Sequence, residues 1–262
     1  MKPQIDVFGK SIGSYALFGI IGILLAGFLV CRLLKRLTKS DTEGLYLILI
    51  AGMGAIVGSH VLYAITRIGD FSDMLKSKSV IAALAEIFGG GVFYGGLLGG
   101  VLAGYIYLKL AKLDIKIYSD VVAVCIPLFH SFARVGCFFA GCCYGKECEI
   151  GFASKFNPYI PEVVGVIRFP IQLVEAMCNF ALFCVLLAIF CNGLKKNKQY
   201  GFLFYIYLIA YSIIRFVLEF FRGDTIRGIL WGFSTSQWIS MAIFAVTVTV
   251  VAVRYRKRNM TN

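Results

Sequence analysis

The sequence predicts an all-α membrane protein with about seven transmembrane helices, and three observations carry that prediction. Of its 262 residues, 59% are apolar and 15% charged, against about 25% charged in an average soluble domain. The mean hydropathy is +0.82. Apolar windows long enough to cross a bilayer, about 20 residues each, recur along the whole chain. This composition excludes a disordered chain, a fibrous protein and a small disulfide scaffold. The net charge of +12 sits mostly in short basic clusters between apolar runs, which reads as membrane topology and not as a nucleic-acid-binding face.

The windows fall near residues 12–31, 45–66, 92–108, 120–140, 171–191, 202–221 and 234–253. Seven crossings place the termini on opposite sides. The connections 32–44, 109–119 and 192–200 and the tail 254–262 hold fourteen lysines and arginines, against ten on the other side, which is nearly twice as long. The positive-inside rule then puts the C-terminus in the cytoplasm and the N-terminus outside. The two long connections, 67–91 and 141–170, are extracytoplasmic in this reading. The first window is read as a retained span, because no small-x-small cleavage site leads into a polar mature segment. Val30 before Cys31 is too large for a lipidation site. Without a repeat, linker or low-complexity tract, residues 1–262 are expected to form a single membrane domain.

Ionisable and small residues inside the windows indicate the chemistry. Gly91, Gly95 and Gly99, and also Gly96, Gly100 and Gly104, recur at four-residue spacing and make two bare helix stripes. They suit close helix packing. A second reading makes Phe93-Tyr94-Gly95-Gly96 a broken helix whose glycines admit a lipid headgroup, since Gly89-Gly90-Gly91 is poor helix. Arg134 in the fourth window and Arg215 and Glu219 in the sixth are costly at membrane depth. At 100° per residue, Tyr211, Arg215, Glu219 and Arg222 lie within about 80° of one another on a helix. Arg215 and Glu219 at i,i+4 would make a structural pair. With Arg134 added, the arginines suit a phospholipid phosphate, whose oxygens match a guanidinium fork.

Gln172 and Glu175 open the fifth window, and Ser234, Ser236 and Gln237 the seventh. Each suits an interfacial cap or an interhelical hydrogen bond. His60 reads as a packing or hydrogen-bonding histidine, and His130, four residues before Arg134, as the better group for proton transfer. Nine cysteines are present, and Cys137, Cys142, Cys143 and Cys148 crowd together as C-x4-C-C-x4-C. The spacing lacks the C-x2-C knuckle of common zinc sites, so no metal is expected. Disulfides in an extracytoplasmic loop, free thiols and a membrane thiol-redox or metal-handling protein built on this cluster are the other readings.

The segment Arg134-Val135-Gly136-Cys137-Phe138-Phe139-Ala140-Gly141-Cys142-Cys143-Tyr144-Gly145 resembles the signature of bacterial prolipoprotein diacylglyceryl transferases. Other segments resemble that family in order. Pro3 to Gly22 looks like its N-terminal entry, and Gly58-Ser59-His60-Val61-Leu62-Tyr63 like its second-span motif. Gly90-Gly91-Val92-Phe93-Tyr94-Gly95-Gly96 is similar to its Gly-Gly-x-x-Phe-His-Gly-Gly segment. Phe169-Pro170-Ile171-Gln172-Leu173-Val174-Glu175 is similar to its Pro-x-Gln-Leu-x-Glu motif. Tyr211 to Arg222 is the strongest match, and Ser234-Thr235-Ser236-Gln237 resembles the Ser-x-x-Gln ending.

The resemblance implies a multi-pass inner-membrane enzyme that moves the diacylglyceryl group of phosphatidylglycerol onto the lipobox cysteine thiol of a preprolipoprotein, the first step of lipoprotein maturation. It implies no metal and no soluble cofactor, and as partners phosphatidylglycerol, signal peptides and membrane lipids. On this basis the expected catalytic residues are Tyr94, Arg134, Arg215 and Glu219. Arg134 and Arg215 take the phosphate, Glu219 holds Arg215, and Tyr211 hydrogen-bonds the headgroup. Arg222, Gln172 and Gln237 join the substrate site, and Gly95, Gly96 and Gly145 shape it. The sequence departs from the family pattern where Tyr94 replaces a histidine and where Cys137 and Cys142 replace Asn and Glu. His130 or Cys142 could then move the proton, or the thiol could lose it to solvent. The alternative reading is a paralogue that uses the same anionic-lipid pocket with another acceptor.

Overall fold

The computed structural model describes residues 2–7, 9–38, 42–77, 79–196, 201–224 and 228–261. Its order is β1 (Gln4–Val7), β2 (Lys10–Gly13), α1 (Ser14–Thr38), α2 (Glu43–Arg67), α3 (Phe71–Ser77), α4 (Val80–Ile87), α5 (Phe93–Leu110) and α6 (Ile115–Ala140). It continues through β3 (Glu147–Phe152), α7 (Ile171–Lys195), α8 (Leu203–Glu219), β4 (Ile229–Leu230), β5 (Phe233–Ser234) and α9 (Thr235–Thr261). Each of the seven apolar windows falls on one of the long helices. Among the described residues, five helical stretches are long and apolar enough to cross a membrane: Ser14–Thr38, Glu43–Asp70, Ile115–Ala140, Ile171–Lys195 and Thr235–Lys257. The connection 67–91 contains the two short helices α3 and α4.

The chain forms two compact units, one made of residues 1–30 and 119–262 and the other of residues 31–118. The smaller unit is organised by α2 against α5. Gly54 and Gly58 of α2 meet Gly95 and Gly99 of α5 so closely that a Cβ on any of the four would overlap the opposing helix. Gly96 and Gly100 lie against Ala51 and Ala55. Both glycine stripes therefore serve helix packing, where bare backbone lets dispersion act at short range without any polar contact. His60 reaches Gly90 across this pair, with its Nδ1 2.7 Å from the carbonyl oxygen. Ser79 caps α4 by accepting from the Ala82 amide at 3.3 Å, which supplies one of the partners that a helix start lacks.

In the larger unit, β1 and β2 form an antiparallel hairpin, with Ile5 opposite Ile12, and β4 and β5 form a second hairpin. Between them α8 packs against α7 and α9. The start of α8 is held by a carboxylate from another helix. Asp120 Oδ2 accepts from the Gly201 amide at 2.6 Å, and its Oδ1 from Leu203 at 2.9 Å and Phe204 at 3.4 Å. A helix start has unpaired N–H groups and a positive dipole end, so a buried carboxylate is satisfied there. This contact also sets depth. At 1.5 Å per residue, Arg134 lies about 21 Å along α6 from Asp120 and Arg215 about 18 Å along α8 from Leu203.

Candidate functional site

Three helices of the larger unit deliver charged side chains to one place. Glu175, in the first turns of α7 and 2% exposed, accepts from Arg134 of α6, with Nε to Oε1 at 3.0 Å. Its other oxygen, Oε2, lies 3.7 Å from Nη1 of Arg215 on α8. Arg215 Nη2 is 2.7 Å from Glu219 Oε2 and donates to Ser236 Oγ of α9 at 3.1 Å. A carboxylate buried with two guanidiniums avoids the penalty of a lone desolvated charge. The expected Arg215–Glu219 pair is present, and the hydrogen bond to Ser236 ties it to α9.

Two polar atoms in this cluster make no hydrogen bond among the described residues: Arg215 Nη1 and Gln172 Oε1. Gln172 lies one turn before Glu175 on α7, and its amide nitrogen donates to the Cys142 carbonyl at 2.9 Å. A buried donor or acceptor left without a hydrogen bond costs about 1–3 kcal/mol. An anionic oxygen would satisfy the first and a hydroxyl the second. Ser131, Val135, Leu173, Ala176, Met177 and Phe180 line an apolar groove of about 400 Å³ between α6 and α7.

The segment that follows α6 is threaded between two others. The Lys146 amide donates to Phe221 O at 3.0 Å, the Gly223 amide to Tyr144 O at 3.0 Å and the Phe169 amide to Lys146 O at 2.9 Å. A Cβ at Gly145 would overlap the Phe169 carbonyl, so only glycine lets the three segments meet here. Arg168 stacks 4.4 Å over the Tyr144 ring, pairs with Glu147 at 3.2 Å and donates to the Glu162 carbonyl at 2.9 Å.

Comparison with known proteins then settles the lineage. A family model for prolipoprotein diacylglyceryl transferase matches residues 4–253. The chain belongs to that family. Phosphatidylglycerol–prolipoprotein diacylglyceryl transferase of Clostridium tetani is 30% identical over 98% of this chain and 100% of its own length. The Geobacter sulfurreducens protein of the same name is 30% identical over 98% of both chains. A Clostridium perfringens protein, the transferase numbered 2, is 32% identical over 91% of this chain and 89% of its own.

Within this diacylglyceryl transferase family member, the larger unit brings together Arg134, Arg215, Glu219, Gln172, Tyr211 and His130. The ring of Tyr211 lies 5.3 Å from His130 and 5.8 Å from Tyr207. Arg222 needs a correction. The helical-face reading assumed that α8 continues to residue 222, but it ends at Glu219. Arg222 instead pairs with Asp224 through two hydrogen bonds, at 3.0 and 2.9 Å. Gln237 forms a capping box with Ser234, accepting from its amide at 2.9 Å and donating its own amide to Ser234 Oγ at 3.2 Å. Tyr94, Gly95 and Gly96 belong to the smaller unit, in the first turn of α5.

Sequence reasoning understated two residues and missed two. The local sequence reads Glu175 and Ser236 as caps or interhelical hydrogen-bonding groups, although an intramembrane carboxylate in a chain with intramembrane arginines is itself a signal. Asp120 and Asp224 were not singled out, and a lone acid at the start of an apolar window is the signal that Asp120 offers. At the end of α6, Cys142 Sγ donates to the Cys137 carbonyl at 3.8 Å, and Arg134 Nη1 lies 3.9 Å from Cys137 Sγ. Hydrogen bonds from the Cys137 and Cys142 thiols hold the Cys143 thiol below the usual thiol range, with Arg222 and Arg134 adding to the effect. The Cys142 thiol is pushed up, chiefly by its hydrogen bonds with Cys137 and Cys143.

Proposed function

We propose that this protein transfers the diacylglyceryl group of phosphatidylglycerol to the lipobox cysteine thiol of preprolipoproteins, in the bacterial cytoplasmic membrane. The observation that carries this reading is the Arg134–Glu175–Arg215 cluster, in which Glu175 and Arg215 are buried and Arg215 Nη1 makes no hydrogen bond among the described residues. Family membership over residues 4–253 supports the same chemistry.

In the reaction the acceptor thiol gives up its proton and its sulfur attacks the glyceryl carbon that carries the phosphate. The carbon–sulfur bond forms as the carbon–oxygen bond breaks, and the electron pair leaves with glycerol phosphate. Negative charge grows on the phosphate oxygens as the ester cleaves, so arginines held in place beforehand stabilise the transition state more than the bound lipid. Arg134 and Arg215 take the phosphate, with Arg215 Nη1, which makes no hydrogen bond among the described residues, turning to it as a donor. Glu175 and Glu219 hold the two guanidiniums in register, so neither must reorganise during the step. Gln172 Oε1 suits a headgroup hydroxyl, and the apolar groove beside Ala176 suits an acyl chain. Tyr211 and His130 wall this side, and Gly145 keeps the loop close to it. Gln237 fixes the start of α9, which carries Ser236.

The topology follows from the same reading. All seven long helices cross the membrane as one transferase domain, with the N-terminus outside, the C-terminus cytoplasmic and the connections 67–91 and 141–170 extracytoplasmic. The basic residues that flank the spans supply the orienting charge.

The test is transfer of labelled diacylglycerol from phosphatidylglycerol vesicles to a synthetic lipobox peptide by the purified protein. The expected result is labelling that vanishes with a Cys→Ser peptide and falls at least tenfold, about 1.4 kcal/mol, with Arg215→Ala. Folded protein that binds the lipid yet labels no peptide would overturn the reading in favour of a different acceptor.

A further inference from the structure

The end of α6 and the turn after it bring three sulfur atoms together. Cys137, in the last turn of the helix, and Cys142 and Cys143, just beyond it, place their Sγ atoms all within 4.8 Å of one another. Cys137 is buried and the other two are partly so. The chain reverses to achieve this, through Gly141 at φ 78° and Cys143 at φ 57°. The left-handed conformation costs a residue with a Cβ about 1–2 kcal/mol. Among the described residues only Lys112 and Trp231 also adopt it without being glycine. Strain of this kind persists where surrounding structure over-determines it, and it clusters at functional sites.

Three thiols in one patch need a reason to converge. A tetrahedral zinc ion with bonds of about 2.3 Å to sulfur holds its thiolates about 3.8 Å apart, so closing this cluster on a metal requires shifts of about 1 Å or less. Three thiolates and a divalent zinc carry a net charge of −1. Arg134, whose Nε pairs with Glu175, also places its Nη1 3.9 Å from Cys137 Sγ, so a guanidinium borders that charge. Cys148, the fourth cysteine of the sequence cluster, does not join the group, and its thiol donates to the Ile150 carbonyl at 3.1 Å.

We infer that Cys137, Cys142 and Cys143 form a three-thiolate zinc site whose open fourth position binds the acceptor cysteine thiol. This role rests on the transfer reading above. A free cysteine thiol, with a pKa of about 8.5, is mostly protonated at neutral pH, and a zinc-bound thiol is deprotonated outright. Three protein ligands plus one exchangeable position is the arrangement of catalytic zinc. The peptide thiol displaces a zinc-bound water and releases its proton to solvent. Its sulfur then attacks the glyceryl carbon and the carbon–oxygen bond to the phosphate breaks, with the electron pair leaving on glycerol phosphate. The product thioether is a weaker, neutral ligand, so it departs and water returns.

The test uses the full-length protein, purified without oxygen and loaded with zinc. Wild type and Cys148→Ser are expected to hold about one zinc per chain, and Cys142→Ser and Cys143→Ser to lose it by at least tenfold. The wild-type protein alone gives a second reading: zinc should shield three thiols from alkylation, and a chelator should expose them. Cobalt in place of zinc should show a sulfur-to-metal absorption that changes when the lipobox peptide is added and does not change with its Cys→Ser form. No bound metal, or a disulfide among the three in the anaerobic protein, overturns the site. Bound cobalt that ignores the thiol peptide overturns the acceptor role. Transfer that survives intact in metal-free protein overturns the inference and leaves the transferase reading standing. Metal and peptide binding without any transfer from phosphatidylglycerol instead overturns the transferase reading while the site stands.

Discussion

Two regions of this molecule hold helices together by opposite means. In the smaller unit, α2 and α5 meet through Gly54, Gly58, Gly95 and Gly99, with backbone against backbone and no charge involved. In the larger unit, α6, α7 and α8 meet through Arg134, Glu175 and Arg215, where contact is directional and charged. The first arrangement is sensitive to volume and indifferent to electrostatics. The second tolerates small changes in shape and depends on every charge being answered. Packing of the first kind builds a scaffold, and the second kind builds a place where an anion can be stabilised.

Two nearly minimal substitutions separate these principles. Glu175→Gln changes almost no volume, yet it leaves the buried guanidinium of Arg215 and the partly buried one of Arg134 facing a neutral amide. We expect it to destabilise the protein by about 3–5 kcal/mol and to abolish transfer, read by thermal unfolding in detergent and by peptide labelling. Gly99→Ala changes no charge but drives a methyl group into the Gly54 backbone, with an expected cost of about 1–3 kcal/mol. If the two effects came out in reverse order, the contrast would fail.

Smaller effects sharpen the same contrast. Asp120→Asn weakens the hold of α6 on the start of α8 and should cost about 1–2 kcal/mol, with a rise in KM for the lipid if the depth of Arg215 shifts. Gly104 sits on the same helix as Gly99, but a Cβ there would meet only ordinary contacts at 3.5 and 3.7 Å. Gly104→Ala should therefore stabilise the protein by up to about 1 kcal/mol through helix propensity. The smallest expected change concerns Cys143, whose thiol is held below the usual range first by its hydrogen bond with Cys137. A lowered pKa means the thiolate appears at lower pH. In chelator-treated protein, alkylation of Cys143 should set in below the pH of an ordinary cysteine, and Cys137→Ala should move that onset upward.

The helices were legible in the sequence because apolar runs and glycine spacing are local properties. Hydropathy placed all seven long helices, and the four-residue glycine repeat marked the face of α5 that packs on α2. The arginines at membrane depth were equally plain, because a charge in an apolar window is costly wherever it faces. The i,i+4 pair of Arg215 and Glu219 needed only the helical period.

What the tertiary structure decided lies between residues far apart in the chain. That Glu175 serves both Arg134 and Arg215, and that Asp120 caps α8, depends on the mutual height and rotation of separate helices, which no local pattern encodes. The end of α8 at Glu219 removed Arg222 from the expected face and gave it to Asp224. The cysteine spacing resembled no metal motif because the convergence of Cys137 with Cys142 and Cys143 is made by a left-handed turn after a helix end. Sequence determines where apolar surface and charge must go, since their burial costs scale with composition and period. Only the folded backbone determines which charge answers which, because hydrogen bonds and ion pairs act within a few ångströms and along fixed directions.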